Sequence, residues 1–485
     1  MTSDHPVVRL GDYVDACLGK MLDAQKNRGS LQPYLGNSNV RWGSFDLKDL
    51  AVMRFEDHED ERYAIRDGDL TVCEGGEPGR CAIWRGNAPM KIQKALHRVR
   101  TKAGLDNYFL YYWFLRAGST GELEPFFTGT TIKHLTGKAL AELRIPLPPI
   151  DSQREVAKVL KSLDAKIDLN RRINQTLEAM AQAIFKSLFV DFDPVKAKIA
   201  AKQEGCDPLR AAMSAISGAG HGRPNAASAG CAEAAKPDAE LDALPPDKYA
   251  QLAATAALFP DEMEDSKLGM IPRGWEVKKV EYISEKIAMG PFGSNIKVET
   301  FVDAGVPVIS GQHLKETLLT EAEYNHITEG HSKKLANSVV SSGDVIFTHA
   351  GNIGQVSLIP KSSRYKKYVI SQRQFYLRPD IQKITSSYLV YFFRSPLGQH
   401  LLLANASQVG VPSISRPSSY LKSIEMLVPP LAVGARFDEI ATGYFEQTVL
   451  LRQQNEKLIA IRDTLLPKLL SGELSVTEAM VEVEV

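Results

Sequence analysis

The fold is decided by a stretch that occurs twice, first as Ile145-Pro146-Leu147-Pro148-Pro149-Ile150 and again as Met426-Leu427-Val428-Pro429-Pro430-Leu431. Each copy leads into a long amphipathic segment, and the copies stay in register at a constant offset of 281 residues (426 − 145). A repeat of this size indicates two similar half-molecules in tandem, each made of a domain and a helix. A protein built in this way is expected to act twice along an extended target.

The parts that precede the two helical segments alternate short apolar runs with turn residues, which is typical of β-strands. In the first part the turns include Gly68-Asp69, Gly76 and Gly79, and the same residues recur 275 positions later (343 − 68). The aromatic-rich segments 106–117 and 386–394 are predicted to be helices that pack in a core. The sequence therefore predicts an α+β protein with two β-rich domains and two long helices.

Apolar residues recur at heptad spacing along each helical segment, as in Val156, Leu163 and Ile184 of the first. The natural partner of each helix is the other one, in a coiled coil. Three asparagines interrupt the apolar seams, and a buried Asn in a seam commonly fixes register and pairing direction. We predict that these residues pair the helices: Asn170, Asn174 and Asn455.

Composition places the 485-residue chain among ordinary water-soluble proteins, with 44% hydrophobic residues and no long uncharged apolar run. We expect it in the cytoplasm, because its first residues do not resemble a signal peptide. Its five cysteines lack CxxC spacing, so no metal site is expected. The formal net charge is zero, yet Lys and Arg outnumber Asp and Glu in 273–422, whereas 191–270 is acidic. A basic second half is compatible with binding to phosphate.

Catalytic motifs are missing from the sequence. There is no Gly-x-x-x-x-Gly-Lys-Ser/Thr loop for a nucleotide and no Asn/Asp-Pro-Pro-aromatic motif of a methyltransferase. Pro379-Asp380 followed by Lys383 offers one carboxylate, which is too few to hold a catalytic metal. The sequence predicts a binding protein with no catalytic residues of its own.

The loops instead carry side chains suited to DNA. Amide and guanidinium groups form bidentate pairs with adenine and guanine in the major groove, and Lys, Ser and Thr bind phosphate. The loops that carry such residues follow comparable proline-containing strand openings at Pro33 and Pro307. The candidate DNA-binding residues are Asn37, Asn39, Arg41, Thr130, Lys133, His134, Ser294, Asn295, Lys297, Gln312, His313, Asn352, Gln372, Arg373, Ser407 and Gln408.

Several strings together resemble the specificity subunit of type I restriction-modification systems. They are the Pro-Pro stretch at 145–149 with Gln153-Arg154-Glu155, the run Phe189-Val190-Asp191-Phe192-Asp193-Pro194, the entry Ile271-Pro272-Arg273-Gly274-Trp275, and Leu466-Pro467-Lys468-Leu469-Leu470-Ser471-Gly472-Glu473-Leu474. The second copy departs from the family pattern at helix entry, where Gly434 stands in place of the glutamine. The resemblance covers nearly the whole chain.

The resemblance implies two target-recognition domains in tandem, separated and joined by two long antiparallel coiled-coil helices. Each domain would read one part of a split sequence in double-stranded DNA, and the helices would act as a spacer and dock type I methyltransferase and restriction subunits. The chain itself would bind no cofactor, while those partners would use S-adenosylmethionine, ATP and Mg. The expected segments are 1–148 (first recognition domain), 149–195 (first helix), 196–270 (Ala/Gly/Pro-rich linker), 271–430 (second recognition domain), 431–475 (second helix) and 476–485 (tail).

Two alternatives remain open from the sequence. One is a DNA-binding adaptor of another phage-defence system on the same scaffold, and the other is a coiled-coil scaffold that binds no DNA. Retention on duplex DNA at moderate salt would separate the second alternative from the others.

Overall fold

The computed structural model describes residues 5–23, 27–86, 88–219, 241–293, 295–407 and 410–479. They form two compact units, of which unit 1 comprises residues 1–170 and 454–485 and unit 2 comprises residues 171–453. The two long helices, Ile150–Phe189 and Leu431–Ser471, each contribute one part to either unit. Each unit therefore contains a β-rich domain together with a segment of both helices.

Unit 1 begins with short strands and continues into the first long helix. Its elements are β1 (Val7–Arg9), α1 (Leu10–Tyr13), β2 (Val14–Leu18), β3 (Ser30–Leu35), β4 (Val40–Arg41), β5 (Ser44–Phe45), β6 (Ala51–Phe55), α2 (Asp60–Tyr63), β7 (Ala64–Ile65), β8 (Leu70–Cys73), β9 (Cys81–Ile83), β10 (Met90–Ile92), β11 (Leu96–Thr101), α3 (Asn107–Thr120), α4 (Gly137–Glu142), β12 (Arg144–Pro146) and the start of α5 (Ile150–Phe189).

Unit 2 contains the remainder of α5 and a longer set of elements. They are α6 (Asp193–Glu204), α7 (Pro208–Ala219), α8 (Pro246–Ala257), β13 (Met263–Ser266), β14 (Gly269–Pro272), β15 (Glu276–Lys279), β16 (Ser284–Met289), β17 (Val306–Ile309), β18 (Asn325–Ile327), α9 (Glu329–Lys334), β19 (Val339–Val340), β20 (Val345–Thr348), β21 (Val356–Leu358), β22 (Tyr368–Ile370), β23 (Gln374–Pro379), α10 (Ser386–Arg394), α11 (Pro396–Leu403), β24 (Ala406–Ser407), β25 (Ser413–Ile414), α12 (Pro417–Ser423), β26 (Glu425–Val428) and α13 (Leu431–Ser471).

The two units share one sheet topology. One four-stranded sheet has the order β2-β11-β8-β9 in unit 1 and β16-β23-β20-β21 in unit 2, with antiparallel neighbours throughout. The other has the order β6-β3-β10-β7 or β18-β17-β22-β19, and its central pair is parallel. A further two-stranded ladder, β1 with β12 or β15 with β26, leads into the long helix. The α+β class predicted from the repeat is thus confirmed.

The repeated Gly-Asp turn has the same structural role in both units. Gly68 and Gly343 adopt positive φ angles of 86° and 89°, which favour glycine. The buried carboxylate of Asp69 accepts two hydrogen bonds from Arg100, at 2.8 and 2.6 Å. Asp344 accepts the equivalent pair from Arg378, at 2.8 and 2.7 Å. A bidentate pair of this geometry ties neighbouring strands together, so the motif is structural.

The aromatic-rich segments form helices α3 and α10, and both lie in cores as predicted. The side chains of Asp106 and Thr385 accept from backbone N–H groups at the starts of these helices. Phe109, Tyr112 and Phe114 are fully buried in unit 1 beside Leu160 of α5. In unit 2, α10 packs against the later part of α5 and the early part of α13.

Helix entry explains why the second copy departs from the family pattern. In unit 1 the fully buried Gln153 donates to the carbonyls of Gly104 and Pro148 and accepts from Asp106 N–H at 2.8 Å. In unit 2 the corresponding residue is Gly434, and Thr385 packs close to it. The glutamine bridge is replaced by close contact of the capping threonine.

The stretch 196–270 differs from the expected linker in its described parts. Residues 193–219 form α6 and α7, and Val195, Ala212 and Met213 are fully buried in the core of unit 2. Lys198 lies there as well and donates to the Phe259 carbonyl at 2.6 Å. Alanine favours helices and packs closely, so Ala-rich composition was a poor guide to a missing core. Residues 220–240 lie outside the described residues.

Candidate nucleic-acid interface

Loops that are distant in sequence meet at one end of unit 2. Gly290 follows β16 and donates to the Gln374 carbonyl at 2.8 Å, and a Cβ atom on Gly290 would clash with the Ser371 carbonyl oxygen. The backbone of His349 donates to the Arg373 carbonyl at 3.0 Å. Gly351 donates to the Pro412 carbonyl at 2.9 Å. These bonds join the loops after β16, β20, β22 and β24 into one surface, which we call the loop end.

A groove in this loop end collects four of the sequence candidates. Its floor includes the apolar side chains of Ile296, Phe301 and Val308, and its rim carries amide and guanidinium groups. The lining residues are Pro291, Gly293, Ile296, Phe301, Val308, Ser310, Gln312, His313, Asn325, Ser371, Gln372 and Arg373. Residues chosen for their chemistry from loops about 60 positions apart therefore lie together.

Arg373 is an available cation on the groove. The residue is exposed, and within the described part of the chain its side chain has no hydrogen-bond or ion-pair partner. Its sequence neighbour Asp380 pairs with Lys383 at 2.7 Å instead. One guanidinium nitrogen lies 3.4 Å from the position that a Cβ atom on Gly351 would occupy. The planar fork is thus held beside a glycine turn and is free to bind an external acceptor.

Other candidates in unit 2 are also exposed. Asn295 and Lys297 lie in the loop after β16, Asn352 lies in the turn between β20 and β21, and Gln372 precedes Arg373. The backbone carbonyl of Gln372 contacts His349 Nε2 at 3.0 Å, so its loop is held while its side chain faces the groove. Gln312 is exposed and donates to the Glu323 carbonyl at 3.2 Å.

His313 has a structural role that corrects its place among the DNA-binding candidates. It is only 1% exposed, its Nδ1 accepts from Ser310 N–H at 3.0 Å, and its ring stacks on Tyr324 with centroids 4.3 Å apart. Nε2 lies 3.2 Å from the Glu323 carbonyl and donates to it. Burial lowers the pKa of His313, so the ring stays neutral. Its imidazole shapes the turn and leaves Gln312 to face outward.

Of the remaining candidates of unit 2, Ser407 lies in the β24–β25 pair. It is exposed and pairs with Ser413. Ser294 and Gln408 lie outside the described residues.

In unit 1 two of the asparagine candidates brace their own loops. Asn37 donates to the Gly75 carbonyl at 2.7 Å and accepts from Arg80 at 3.3 Å. Asn39 accepts from Gly36 N–H at 2.9 Å and donates to the Asp46 carbonyl at 3.0 Å. The two side-chain amides therefore hold turns, and their contact with base edges stays a prediction. Asparagine is favoured both in turns and in contacts with bases, so residue type alone does not distinguish these two roles.

Arg41 and the residues of the 128–134 loop remain at the surface of unit 1. Arg41 is exposed and lies 3.8 Å from the Asp46 carboxylate, a weak surface pair. Thr130 is exposed, and Lys133 is exposed with Glu124 at 3.9 Å. His134 pairs through its backbone with Thr128 and Gly75, which brings this loop to the turn that Asn37 holds.

Sequence reasoning missed other exposed residues of these loops. Lys94 lies between β10 and β11, at the position that Gln372 occupies between β22 and β23. The equivalence follows from two matching backbone bonds: Gly19 N–H donates to the Leu96 carbonyl in unit 1, and Gly290 N–H donates to the Gln374 carbonyl in unit 2. Phe292 is 85% exposed beside the groove. An alignment of β10 and β11 with β22 and β23 would have placed Lys94 opposite the candidate Gln372 and so identified it as a further candidate.

The seam asparagines lie between the two long helices. In unit 1, Asn170 is fully buried and donates to Gln454 at 2.8 Å and to Asn455 at 2.9 Å. In unit 2, Asn174 lies 3.5 Å from the Thr448 carbonyl. Asn455 thus meets Asn170, although Asn174 is its equivalent in the repeat. In unit 1, Asp164 contacts Arg462 while Asn170 contacts Gln454, so the numbering falls along one helix as it rises along the other and the helices are antiparallel.

The described residues contain neither a metal-binding cluster nor a membrane-spanning helix. Within these residues no group of three or more His, Cys, Asp or Glu side chains is placed to hold a metal ion. In the same part of the chain, no helix has the length and apolar character needed to cross a membrane.

Comparisons with known proteins agree on one family. Residues 3–179 match the family model described as the type I restriction modification DNA specificity domain. The chain is 29% identical to the type I restriction enzyme HindI specificity subunit of Haemophilus influenzae, over 71% of this chain and 72% of the relative. It is 24% identical to the MjaIX specificity subunit of Methanocaldococcus jannaschii, over 80% and 74%. A crystal structure of the type I system S subunit from M. genitalium superposes with a TM-score of 0.47 at 13% identity, covering 96% of each chain.

Proposed function

Because the chain belongs to the family of type I restriction-modification specificity subunits, we propose that its two units each read one part of a split sequence in double-stranded DNA. The chain as a whole is a DNA specificity subunit.

One observation carries this proposal. The two units have the same strand orders, and in both the loops after equivalent strands meet at one end. In unit 2 that loop end presents Gln312, Gln372 and Arg373 around a single groove. A duplicated surface of this kind suits a target with two parts, since each part needs its own set of base contacts.

The residues of unit 2 divide naturally between reading and positioning. Arg373 supplies a planar fork that matches the O6 and N7 atoms of guanine, and the Gln372 amide matches N6 and N7 of adenine. Lys297 is an exposed point charge that suits phosphate. His313 and Gly290 hold the loops that carry these groups. Binding at this surface would combine salt-dependent phosphate contacts with sequence-dependent base contacts.

The partners and cofactors follow from the family and are part of the proposal. Type I methyltransferase subunits and restriction subunits would bind this chain. S-adenosylmethionine, ATP and Mg would be held by those subunits, and this chain would contribute no catalytic residue.

A domain exchange tests the two-reader assignment. Replacing residues 1–148 by the equivalent part of a relative should change one part of the methylated sequence and leave the other part unchanged. Methylated adenines in the genome of a host that expresses the chimera with its methylation subunit give the readout. A chimera that alters both parts would contradict the assignment of one reader to each unit.

A further inference from the structure

In each unit, two residues at the loop end pair through their backbones across a short stretch of chain. In unit 1, Thr128 and His134 exchange two backbone hydrogen bonds of 2.8 Å. In unit 2, Ser407 pairs with Ser413. Each pair encloses a loop of the same length, 129–133 or 408–412, and the fourth loop position is a β-branched aliphatic residue in both. Ile132 and Val411 are each 63% exposed.

Both backbone pairs are fastened to the same turn of the neighbouring sheet. His134 pairs with Gly75, and Leu135 N–H donates to the Glu74 carbonyl at 2.7 Å. In unit 2, Ser413 pairs with Ala350, and Ile414 N–H donates to the His349 carbonyl at 2.9 Å. The backbone beneath each aliphatic side chain is therefore held on both sides. These side chains are exposed on supported backbone beside the turn that Asn37 braces in unit 1 and that Arg373 adjoins in unit 2.

A single exposed aliphatic residue is common on protein surfaces. Here the two units each have one at the equivalent loop position. The two stretches differ in sequence, since Lys133 of unit 1 is Pro412 in unit 2. They nevertheless keep the same side-chain class, register and exposure at one position. Side chains branched at Cβ have few rotamers, so little entropy is lost when they are held against a ligand. These properties suit a rigid apolar contact.

We propose that Ile132 and Val411 are specificity-determining residues that contact thymine C5-methyl groups, one in each part of the target. The thymine methyl is the apolar group that a base pair presents in the major groove, where the amide and guanidinium readers also act. This inference rests on the proposed function, because it requires each unit to bind its own part of a duplex.

The test uses deoxyuridine, which differs from thymidine only by that methyl group. The chain is purified with its methylation subunit, its preferred duplex is selected from random sequences, and each thymine is replaced in turn by uracil. The wild-type complex should bind about fourfold more weakly when the contacted methyl is removed, at one position in each part. Ile132→Ala should abolish this difference in one part only, and Val411→Ala in the other part only.

Matched variants separate a specific contact from a general loss. Ile132→Val and Val411→Ile keep a β-branched side chain and should keep the thymine preference. Ile381→Ala removes an aliphatic side chain that is 72% exposed after the opposite end of β23, and it should leave both preferences intact. Direct binding is measured by fluorescence anisotropy, so catalytic activity of the partner subunits does not enter.

The outcomes distinguish this inference from the function it rests on. Failure of random selection to yield any preferred duplex would count against the proposed function itself. A preferred duplex that tolerates uracil at every position, or one without thymine, would overturn the inference alone. So would variants that weaken assembly with the methylation subunit without changing the thymine-to-uracil ratio, because the aliphatic residues would then be protein contacts.

Discussion

Unit 1 and unit 2 attach their domains to the same pair of helices by different chemistry. In unit 1 the buried carboxylate of Asp164 accepts from Tyr112 at 2.8 Å and from Arg462 at 3.0 Å. Burial, and then the charge of Asp164, raises the pKa of Tyr112 far above its usual value, so the phenol stays a donor. This part of the contact between domain and helices is therefore polar and directional.

In unit 2 the corresponding contact keeps a polar part, because Tyr391, the equivalent of Tyr112, donates to the Glu178 carboxylate of α5 at 3.1 Å, and it adds an aromatic cluster. Phe437 of α13 is fully buried, and its ring lies 5.6 Å from Phe185 and 5.7 Å from Tyr391 between centroids. At the repeat offset of 281 residues, Asp164 corresponds to Phe445 and Arg462 to Ala181. The duplication thus preserved the backbone architecture and a hydrogen bond from tyrosine to a carboxylate of α5, whereas the ion pair between Asp164 and Arg462 has no equivalent at the matching positions. The two units should consequently respond differently to substitution.

The largest expected effect is at the aromatic contact. Phe437→Ala should destabilise unit 2 by about 3–5 kcal/mol, because it removes a fully buried ring from a packed cluster. Hydrogen exchange should become faster in α10 and in β20–β23 while unit 1 keeps its protection. Phe292→Ala is the matched control, since that ring is 85% exposed and its loss should cost less than about 0.5 kcal/mol. Equal loss of protection in both units would show that they do not unfold separately.

Breaking the ion pair between Asp164 and Arg462 should destabilise unit 1 by a smaller amount, and a second substitution should recover part of the loss. Arg462→Met leaves the Asp164 carboxylate buried with Tyr112 as its remaining partner, and we expect a cost of about 2–4 kcal/mol in unit 1. Adding Asp164→Leu to Arg462→Met removes the uncompensated charge, so the double variant should be more stable than Arg462→Met alone. The measurement is a double-mutant cycle followed by hydrogen exchange in α3. Additive losses would mean that the two charges are not coupled.

The loop ends of the two units also have different side chains at equivalent backbone positions. Arg373 of unit 2 corresponds to Ala95 in unit 1, and Gln372 corresponds to Lys94. Arg373→Ala should therefore cost about 1–3 kcal/mol on the preferred duplex and relax the part of the target read by unit 2. Lys297→Ala should instead weaken all duplexes alike and reduce the salt slope by about one. Equal losses for Arg373→Ala on preferred and scrambled duplexes would remove Arg373 from the reading residues.

The sequence was sufficient for the architecture because the repeat is a pattern of the whole chain. The apolar strands, the Gly-Asp turns and the heptad positions each have a period or a spacing that survives in the fold. The aromatic segments were likewise predictable as parts of the core, because aromatic side chains have large apolar surfaces that are stable only when buried.

Side-chain roles at the loop end could not be predicted from residue type alone. Asn37, Asn39 and His313 have the hydrogen-bonding groups of a base reader, yet in the fold those groups satisfy backbone atoms of their own turns. Ile132 and Val411 were missed because their significance lies in equal exposure at equivalent loop positions, which requires coordinates. Residues 196–219 were misjudged because alanine-rich composition hides how closely small side chains pack.

The smallest expected effect concerns a turn that the two units build with different residues. At the end of β17 the His313 ring accepts from the backbone of the third residue before it, and at the end of β3 the Asn39 amide does the same. Burial lowers the pKa of His313, so the folded state binds its proton less readily than the unfolded chain, whose histidine titrates near 6.5. The stability of unit 2 that depends on neutral His313 is then fully present above about pH 6.5. It is lost as pH falls from there towards the lowered pKa.

His313→Asn should remove the contribution of His313 to the acid sensitivity of unit 2, because asparagine does not titrate and supplies the same acceptor. At pH 7.5 the variant should be less stable by about 1 kcal/mol, since the stack on Tyr324 is lost. Between pH 6.5 and 5.5, protection of β17 and β22 against hydrogen exchange, corrected for the intrinsic rate, should fall less than in the wild type. Unit 1 provides the internal control through His97, which is 1% exposed, contacts the Leu135 carbonyl at 2.9 Å and also has a pKa lowered by burial. Strands β8 and β11 should keep their acid sensitivity in the variant. An unchanged response in β17 would assign the acid sensitivity of unit 2 to a group other than His313.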